Sequence, residues 1–139
     1  MKIGIAGIGK MGAAIAARLS SVGHEMMVWN RSADKAKATG LKVAATPADL
    51  AAGSDLVISI LADATAVNAV YDQMKTAMKG KLFIEMSTVR PEIPKALAEK
   101  VRAAGGAFVE CPVGGTTGPA REGKLFGFAG GNAQKLLNL

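Results

Sequence analysis

Histidine and cysteine occur once each in this chain, as His24 and Cys111, and aromatic residues make up only 4% of its 139 residues. A single cysteine excludes an internal disulfide and points to a reducing cytoplasm as the working compartment. No cluster of His, Cys and carboxylates with metal-ligand spacing is present, so no metal is expected. Cys111 has no histidine close in sequence to activate it and reads as a small buried apolar residue. His24 lies between a helix stop and a strand and reads as a surface turn residue, not a base. The shortage of aromatic rings removes the stacking platforms that a single-strand nucleic-acid binder needs. Charged residues stop at 20% while half the chain is hydrophobic, a balance that excludes disorder.

Long apolar runs are missing as well, and none approaches the roughly 20 residues of a membrane span. The first 23 residues are rich in Ala and Ile behind an early lysine, which superficially suits a signal peptide. Lys10 interrupts that stretch, and Gly4, Gly7, Gly9 and Gly12 break any early helix, so the signal is rejected. The 17 Lys and Arg outnumber 11 Asp and Glu, for a net charge of +6. The basic residues are scattered without a dense run and read mostly as solvated helix faces. Neither nucleic acid nor membrane is expected as a partner, whereas a small anionic ligand suits the balance. The length fits one domain, residues 1–139.

What the chain does have is a regular alternation of strand-like and helix-like segments. Lys2–Ala6 is a short apolar strand and Gly7–Gly12 a glycine loop. Lys10–Val22 is a helix stopped by Gly23. Glu25–Trp29 is a second strand, and Ser32 is placed to cap a helix over Ala33–Ala38. Leu41–Ala44 is a weak third strand. Thr46-Pro47-Ala48-Asp49 opens a helix with a capping hydroxyl, a first-position proline and an acid. Asp55–Ile60 is the strongest strand, apolar on both faces. Asp63 caps a helix over Ala64–Met78. Lys81–Glu85 is a strand, Pro91–Ala104 a helix, and Ala107–Glu110 and Leu125–Ala129 are strands. Cys111–Gly118 is read as a loop, and for Thr117–Gly123 a flexible glycine loop is a serious rival to a ligand-binding one.

Strands alternating with helices predict a doubly wound α/β domain of Rossmann type. Its sheet is mainly parallel, with right-handed crossovers and helices on both faces. Ligands bind such sheets at the carboxyl ends of the strands. Gly7–Gly12, Asn30–Ser32, Leu61–Asp63, Ser87-Thr88 and Cys111–Gly118 all follow strands and are expected to gather along one edge.

Gly7-Ile8-Gly9-Lys10-Met11-Gly12 matches G-x-G-x-x-G between a strand and a helix, the context that gives this motif meaning. Gly7 permits the tight turn, Gly9 admits a pyrophosphate to the backbone, and Gly12 lets the helix pack closely. Amides and dipole at the helix start favour the anion. A glycine turn without ligand is the alternative. At the end of the second strand an NAD enzyme usually carries an acid for the ribose hydroxyls. Here stands Asn30-Arg31-Ser32. Arg31 would attract a ribose 2'-phosphate that a carboxylate repels, and Ser32 and Lys35 add donors. The cofactor expected is NADP(H), with NAD second. Arg31 as a plain exposed side chain is the alternative.

With these motifs placed, the chain resembles the β-hydroxyacid dehydrogenases. That family includes 3-hydroxyisobutyrate dehydrogenases, tartronate semialdehyde and glyoxylate/succinic semialdehyde reductases and, more distantly, 6-phosphogluconate dehydrogenases. The G-x-G-x-M-G loop running into Ala13–Leu19 is similar to the family's opening. Leu61-Ala62-Asp63 resembles its Leu-Pro-Asp turn, with Ala62 for proline, and Val67 matches a position near the adenine. Met86-Ser87-Thr88-Val89 resembles its Ser-Thr turn, which assigns Thr88 to the nicotinamide side. Pro112-Val113-Gly114-Gly115-Thr116 resembles its substrate loop, with Gly114 for the usual serine and Thr116 for a glycine. Backbone amides there can still form a nest for a carboxylate.

The resemblance implies hydride transfer between nicotinamide and a small hydroxy acid or its carbonyl form. The family's catalytic lysine lies on a helix beyond this domain, and a helical second domain, through which the parent is expected to assemble as a homo-oligomer, follows. Lys135-Leu136-Leu137-Asn138 is one residue short of the lysine motif's spacing and reads as the start of the next helix. No catalytic residue is therefore assigned, and the chain is expected to be the cofactor half of a two-domain enzyme. A stand-alone nucleotide-binding module and the cofactor half of an imine reductase are the alternatives.

Overall fold

The computed structural model describes residues 1–114, 117–124, 126–127 and 130–131. Strands and helices alternate as β1 (Lys2–Ala6), α1 (Lys10–Ser21), β2 (Glu25–Trp29), α2 (Ala33–Lys37), β3 (Lys42–Val43), α3 (Pro47–Ala52), β4 (Leu56–Ser59), α4 (Ala64–Met74), β5 (Leu82–Glu85), α5 (Glu92–Ala103) and β6 (Ala107–Glu110). There follow β7 (Val113–Gly114), α6 (Thr117–Arg121), β8 (Phe126–Gly127) and β9 (Gly130–Gly131). The main sheet has the order β3-β2-β1-β4-β5-β6-β9. Its first six strands are parallel, and β9 runs antiparallel to β6. β7 and β8 form a separate antiparallel pair.

The strand pattern explains the layers. Every residue of β4 and β5 is buried, because central parallel strands are covered on both faces. Ile58 and Ile84 face one core with Ile15 and Ala16 of α1, Ala36 of α2 and Ala120 of α6. Val57, Phe83 and Phe108 face the other, with Leu50 of α3, Val67 and Tyr71 of α4 and Leu97 of α5. Tyr71 meets Phe83 and Phe108 with ring centroids 6.0 and 6.1 Å apart.

Side chains close the helix ends. Thr46 Oγ1 accepts from the Asp49 amide at 3.1 Å and Asp63 Oδ1 from the Ala66 amide at 2.9 Å. Lys81 Nζ donates to the carbonyls of Ala51, Ala52 and Ser54 at 2.5, 2.9 and 2.7 Å, capping α3. Ser32 departs from expectation: it holds the cap position of α2, but its hydroxyl makes no capping bond. The helix expected to reach Met78 stops at Met74 and tightens into a 3₁₀ turn over Lys75–Ala77. Thr117–Arg121 is helical where the sequence reads as a loop. Of the strand expected over Leu125–Ala129, Phe126–Gly127 pairs with β7, while Leu125, Phe128 and Ala129 lie outside the described residues.

Candidate functional site

Strand order reverses between β1 and β4, the switch point where doubly wound sheets bind ligands. The glycine loop leaves β1 there. Its three glycines serve different ends. A Cβ on Gly7, at φ +105°, would lie 1.8 Å from the Ile60 carbonyl oxygen at the end of β4. One on Gly12 would lie 1.9 Å from the Gly7 carbonyl oxygen. Both glycines are thus demanded by the protein's own backbone. A Cβ on Gly9 would meet nothing within 4 Å. The open ground over Gly9 lies at the N-terminus of the 12-residue α1, whose first-turn amides lack helical acceptors. It fits a dinucleotide's pyrophosphate, with the amides of Gly9, Lys10 and Met11 as donors.

Asn30, at the end of β2, braces this loop. Its Oδ1 accepts from the Ile8 amide at 2.9 Å and its Nδ2 donates to the Ser32 carbonyl at 3.1 Å. The Ile8 amide and Asn30 Oδ1 are therefore spent on each other and Asn30 Nδ2 on Ser32, and the Ile8 side chain is buried. Arg31, Ser32 and Lys35 are all exposed beside the loop. Among the described residues neither Arg31 nor Lys35 has a carboxylate within 4 Å.

The turns after β4 and β5 are tied together from below. Glu85, 1% exposed at the end of β5, accepts from Ser59 Oγ at 2.5 Å and from the Ser87 amide at 2.6 Å. Ser59 Oγ lies 2.7 Å from the Tyr71 hydroxyl. The Leu61 amide donates to Ser87 Oγ at 2.8 Å. Burial pushes the Glu85 carboxyl above the usual carboxylate range, against the hydrogen bonds it accepts. Burial, with the neighbouring Glu85, drives Tyr71 well up too. The network sets the Leu61–Asp63 turn against the Ser87-Thr88 turn. Ala62, Asp63 and Thr88 are exposed on those turns, whereas Val67 has no exposed surface and packs in the core.

A cavity of about 560 Å³ opens between the glycine loop, α2 and α6. Gly9, Lys10 and Lys35 line it together with Thr117 and Arg121; Arg31 and Ser32 do not. Within the substrate-loop segment Gly114 closes β7; Gly115, Thr116 and Lys135–Asn138 lie outside the described residues. Cys111 is buried. Among the described residues no group of three or more His, Cys, Asp or Glu side chains is placed to hold a metal. No helix among them is long and apolar enough to cross a membrane.

Residues 2–139 match the family described as the NAD binding domain of 6-phosphogluconate dehydrogenase. The chain belongs to that family. It is 37% identical over 134 residues to mitochondrial 3-hydroxyisobutyrate dehydrogenase of Drosophila melanogaster, covering 93% of this chain and 41% of that protein. A Mycobacterium tuberculosis 3-hydroxyisobutyrate dehydrogenase solved with L-serine superposes with a TM-score of 0.91 at 26% identity, over 99% of this chain and 48% of that one. A reductive aminase from Aspergillus terreus, solved with NADPH and ethyl levulinate, does so at 0.79 and 30% identity, over 85% and 42%. The chain thus spans less than half the length of these relatives. A nicotinamide dinucleotide-binding domain of this family, related to dehydrogenases and reductases, is what fold and comparisons jointly establish.

Two features of this family domain escape a reading of the sequence. Arg121 hides in a stretch whose Gly118 and Pro119 read as loop punctuation, although Thr117 and Arg121 stand at helical spacing. Glu85 is an acid ending an otherwise apolar strand, a signal in itself, but its partners Ser59 and Tyr71 are brought to it only by the fold.

Proposed function

We propose that this domain binds NADP(H) on behalf of a β-hydroxyacid dehydrogenase or reductase acting on a small carboxylate-bearing hydroxy acid or its semialdehyde or keto form. The observation that carries the cofactor choice is Asn30-Arg31-Ser32 at the end of β2. An exposed arginine without an acidic partner stands where an NAD enzyme presents a carboxylate. The reductive aminase relative, bound to NADPH, supports the same cofactor. When bound, the dinucleotide supplies or accepts the hydride. The chain's own residues bind and orient it. Amides of Gly9, Lys10 and Met11 take the pyrophosphate, with Gly7, Ile8 and Gly12 shaping the loop and Asn30 bracing it. Arg31, Ser32 and Lys35 take the 2'-phosphate. Leu61, Ala62 and Asp63 form the wall toward the adenine, with Val67, expected there from the sequence, buried behind them in the core, and Thr88 lies toward the nicotinamide. Gly114, Gly115 and Thr116 grip the substrate carboxylate through the backbone and a hydroxyl.

In this reading residues 1–139 are one domain, and proton transfer falls to a lysine of a helical partner domain that also assembles the parent as a homo-oligomer. The Drosophila and mycobacterial relatives are named as dehydrogenases and the Aspergillus relative as a reductive aminase, which favours a catalytic parent over a module that only binds nucleotide. A parent reducing C=N bonds is the second reading, favoured by the reductive aminase, and it keeps the same cofactor site. The single cysteine suits a cytoplasmic setting; the Drosophila relative is named as mitochondrial. Arg31→Ala tests the cofactor assignment. Loss of a charge-assisted bond costs about 1.5–3 kcal/mol of NADPH affinity and leaves NADH binding unchanged; equal losses would overturn the assignment.

A further inference from the structure

We propose that Arg121 is a further phosphate-binding residue, and that the cavity between the glycine loop, α2 and α6 receives the ribose phosphate monoester of the dinucleotide. The inference rests on the NADP(H) reading and extends it to an element that reading does not use: Lys35 lines the cavity, Arg31 and Ser32 lie outside it, and the phosphate is placed at Lys35, between those two residues and Arg121.

Three cations from three separate elements line this cavity: Lys10 from the start of α1, Lys35 from α2 and Arg121 from α6. No acidic residue is among its lining. Among the described residues the two ion pairs are Lys100 with Asp72 and Lys124 with Glu122, so none of the three cations has a carboxylate within 4 Å. Like charges converging without a counter-charge repel one another, and a bound dianion offsets that repulsion. Arginine also presents a planar fork that matches phosphate oxygens.

The cavity is anchored where Arg121 enters it. Ala120, beside Arg121, is 2% exposed in the core that α1 also lines. After α6 the chain turns at Gly123, where a Cβ would lie 2.9 Å from Arg18 Nε of α1. The helix is thus held against α1 on the side away from solvent. Thr117 and Arg121, four residues apart, share a face and line the cavity together. The Thr39 hydroxyl on the opposite wall is already committed, donating to the Ala36 carbonyl at 2.6 Å and accepting from the Leu41 amide at 3.2 Å. The remaining polar side chains of the lining are therefore the three cations and Thr117. Gly9 and Lys10 belong to both the pyrophosphate loop and this cavity. That continuity favours a phosphate on the same ligand's ribose over an unrelated anion.

The test measures dissociation constants of the wild type, Arg121→Gln and Arg121→Lys by calorimetry. The ligands are NADPH, NADH, adenosine 2',5'-bisphosphate and AMP, with inorganic phosphate as a separate titrant. Thermal melts confirm that the variants are folded. Arg121→Gln should weaken NADPH and the bisphosphate about tenfold or more, with NADH and AMP unchanged. Arg121→Lys should recover part of the loss. Equal losses for NADPH and NADH would place Arg121 on the shared pyrophosphate and overturn the inference. So would inorganic phosphate stabilising the wild type as well as the bisphosphate does, which would mark a free-anion site. If Arg31→Ala discriminates the two cofactors while Arg121→Gln changes neither, the inference fails and the NADP(H) reading stands. A wild type that does not distinguish NADPH from NADH would remove both.

Discussion

Valine in place of Gly9 should separate binding from folding. In the free domain a Cβ there meets nothing within 4 Å, and the backbone, at φ −80° and ψ −167°, is extended and open to any residue. Gly9 is the N-cap of α1, where valine is disfavoured against glycine by about 1 kcal/mol. For a domain of this size that lowers Tm by roughly 3–5 °C. The same side chain fills the ground over which a pyrophosphate must approach. Losing two charge-assisted bonds from the loop amides costs about 3–6 kcal/mol, a weakening of at least about 100-fold. Gly12→Ala is the contrasting control. Its Cβ falls 1.9 Å from the Gly7 carbonyl oxygen, in a loop pinned by the Gly7 amide to the Trp29 carbonyl at 2.9 Å. Relief requires backbone movement, at about 3 kcal/mol or more, and a Tm loss of roughly 10 °C. Circular dichroism melts and NADPH titration read both effects. Gly9→Val that keeps its affinity within about tenfold of wild type, against the 100-fold expected, would refute the reasoning. So would a melt as low as that of Gly12→Ala.

Glu85→Gln should flatten part of the pH dependence of stability. Burial raises the Glu85 pKa above its usual 4.5, so the folded state favours the protonated acid. That contribution is fully present below the unfolded pKa and fades as pH rises through the folded value. Glutamine keeps an acceptor for the Ser87 amide and a donor for Ser59, so the Tm of the variant minus that of wild type should rise from pH 4 toward neutrality; a signed difference that falls over that range would contradict the account. Tyr71→Phe retains the ring packing and loses the hydroxyl bond to Ser59, for about 0.5–1.5 kcal/mol in denaturant melts, and a larger loss would mean the network is strained without it. Purified chain with NADPH and a panel including glyoxylate and succinic semialdehyde should show no turnover. Rates near 1 s⁻¹, within the ordinary enzyme range, would place the proton-transfer group inside these residues, and Lys135→Ala would be the first variant to make.

The doubly wound architecture was legible in local pattern. The apolar runs Leu56–Ile58 and Leu82–Ile84 read as strands, the first as a buried parallel one, and the glycine loop sits between a strand and a helix as its chemistry requires. Non-local interactions were not legible. Asn30 looks like a cofactor contact in sequence, yet its amide reaches back 22 residues to hold Ile8. Glu85 meets Ser59 across 26 residues, and that contact exists only because β4 and β5 pair. α6 forms despite Gly118 and Pro119 because Ala120 is buried with α1 in one core; so short a helix owes its stability to packing rather than to propensity. The end of α4 slipped for the opposite reason. Lys75, Thr76 and Ala77 carry no stop signal, and the turn tightens where Met74 and Met78 are both buried.

The most direct measurement is the titration of the wild-type chain with NADPH and NADH, followed by nicotinamide or Trp29 fluorescence at fixed ionic strength. An unopposed Arg31 beside Lys35 at the end of β2 predicts that NADPH binds tighter, by about tenfold or more for one charge-assisted contact. Equal or tighter binding of NADH would contradict it.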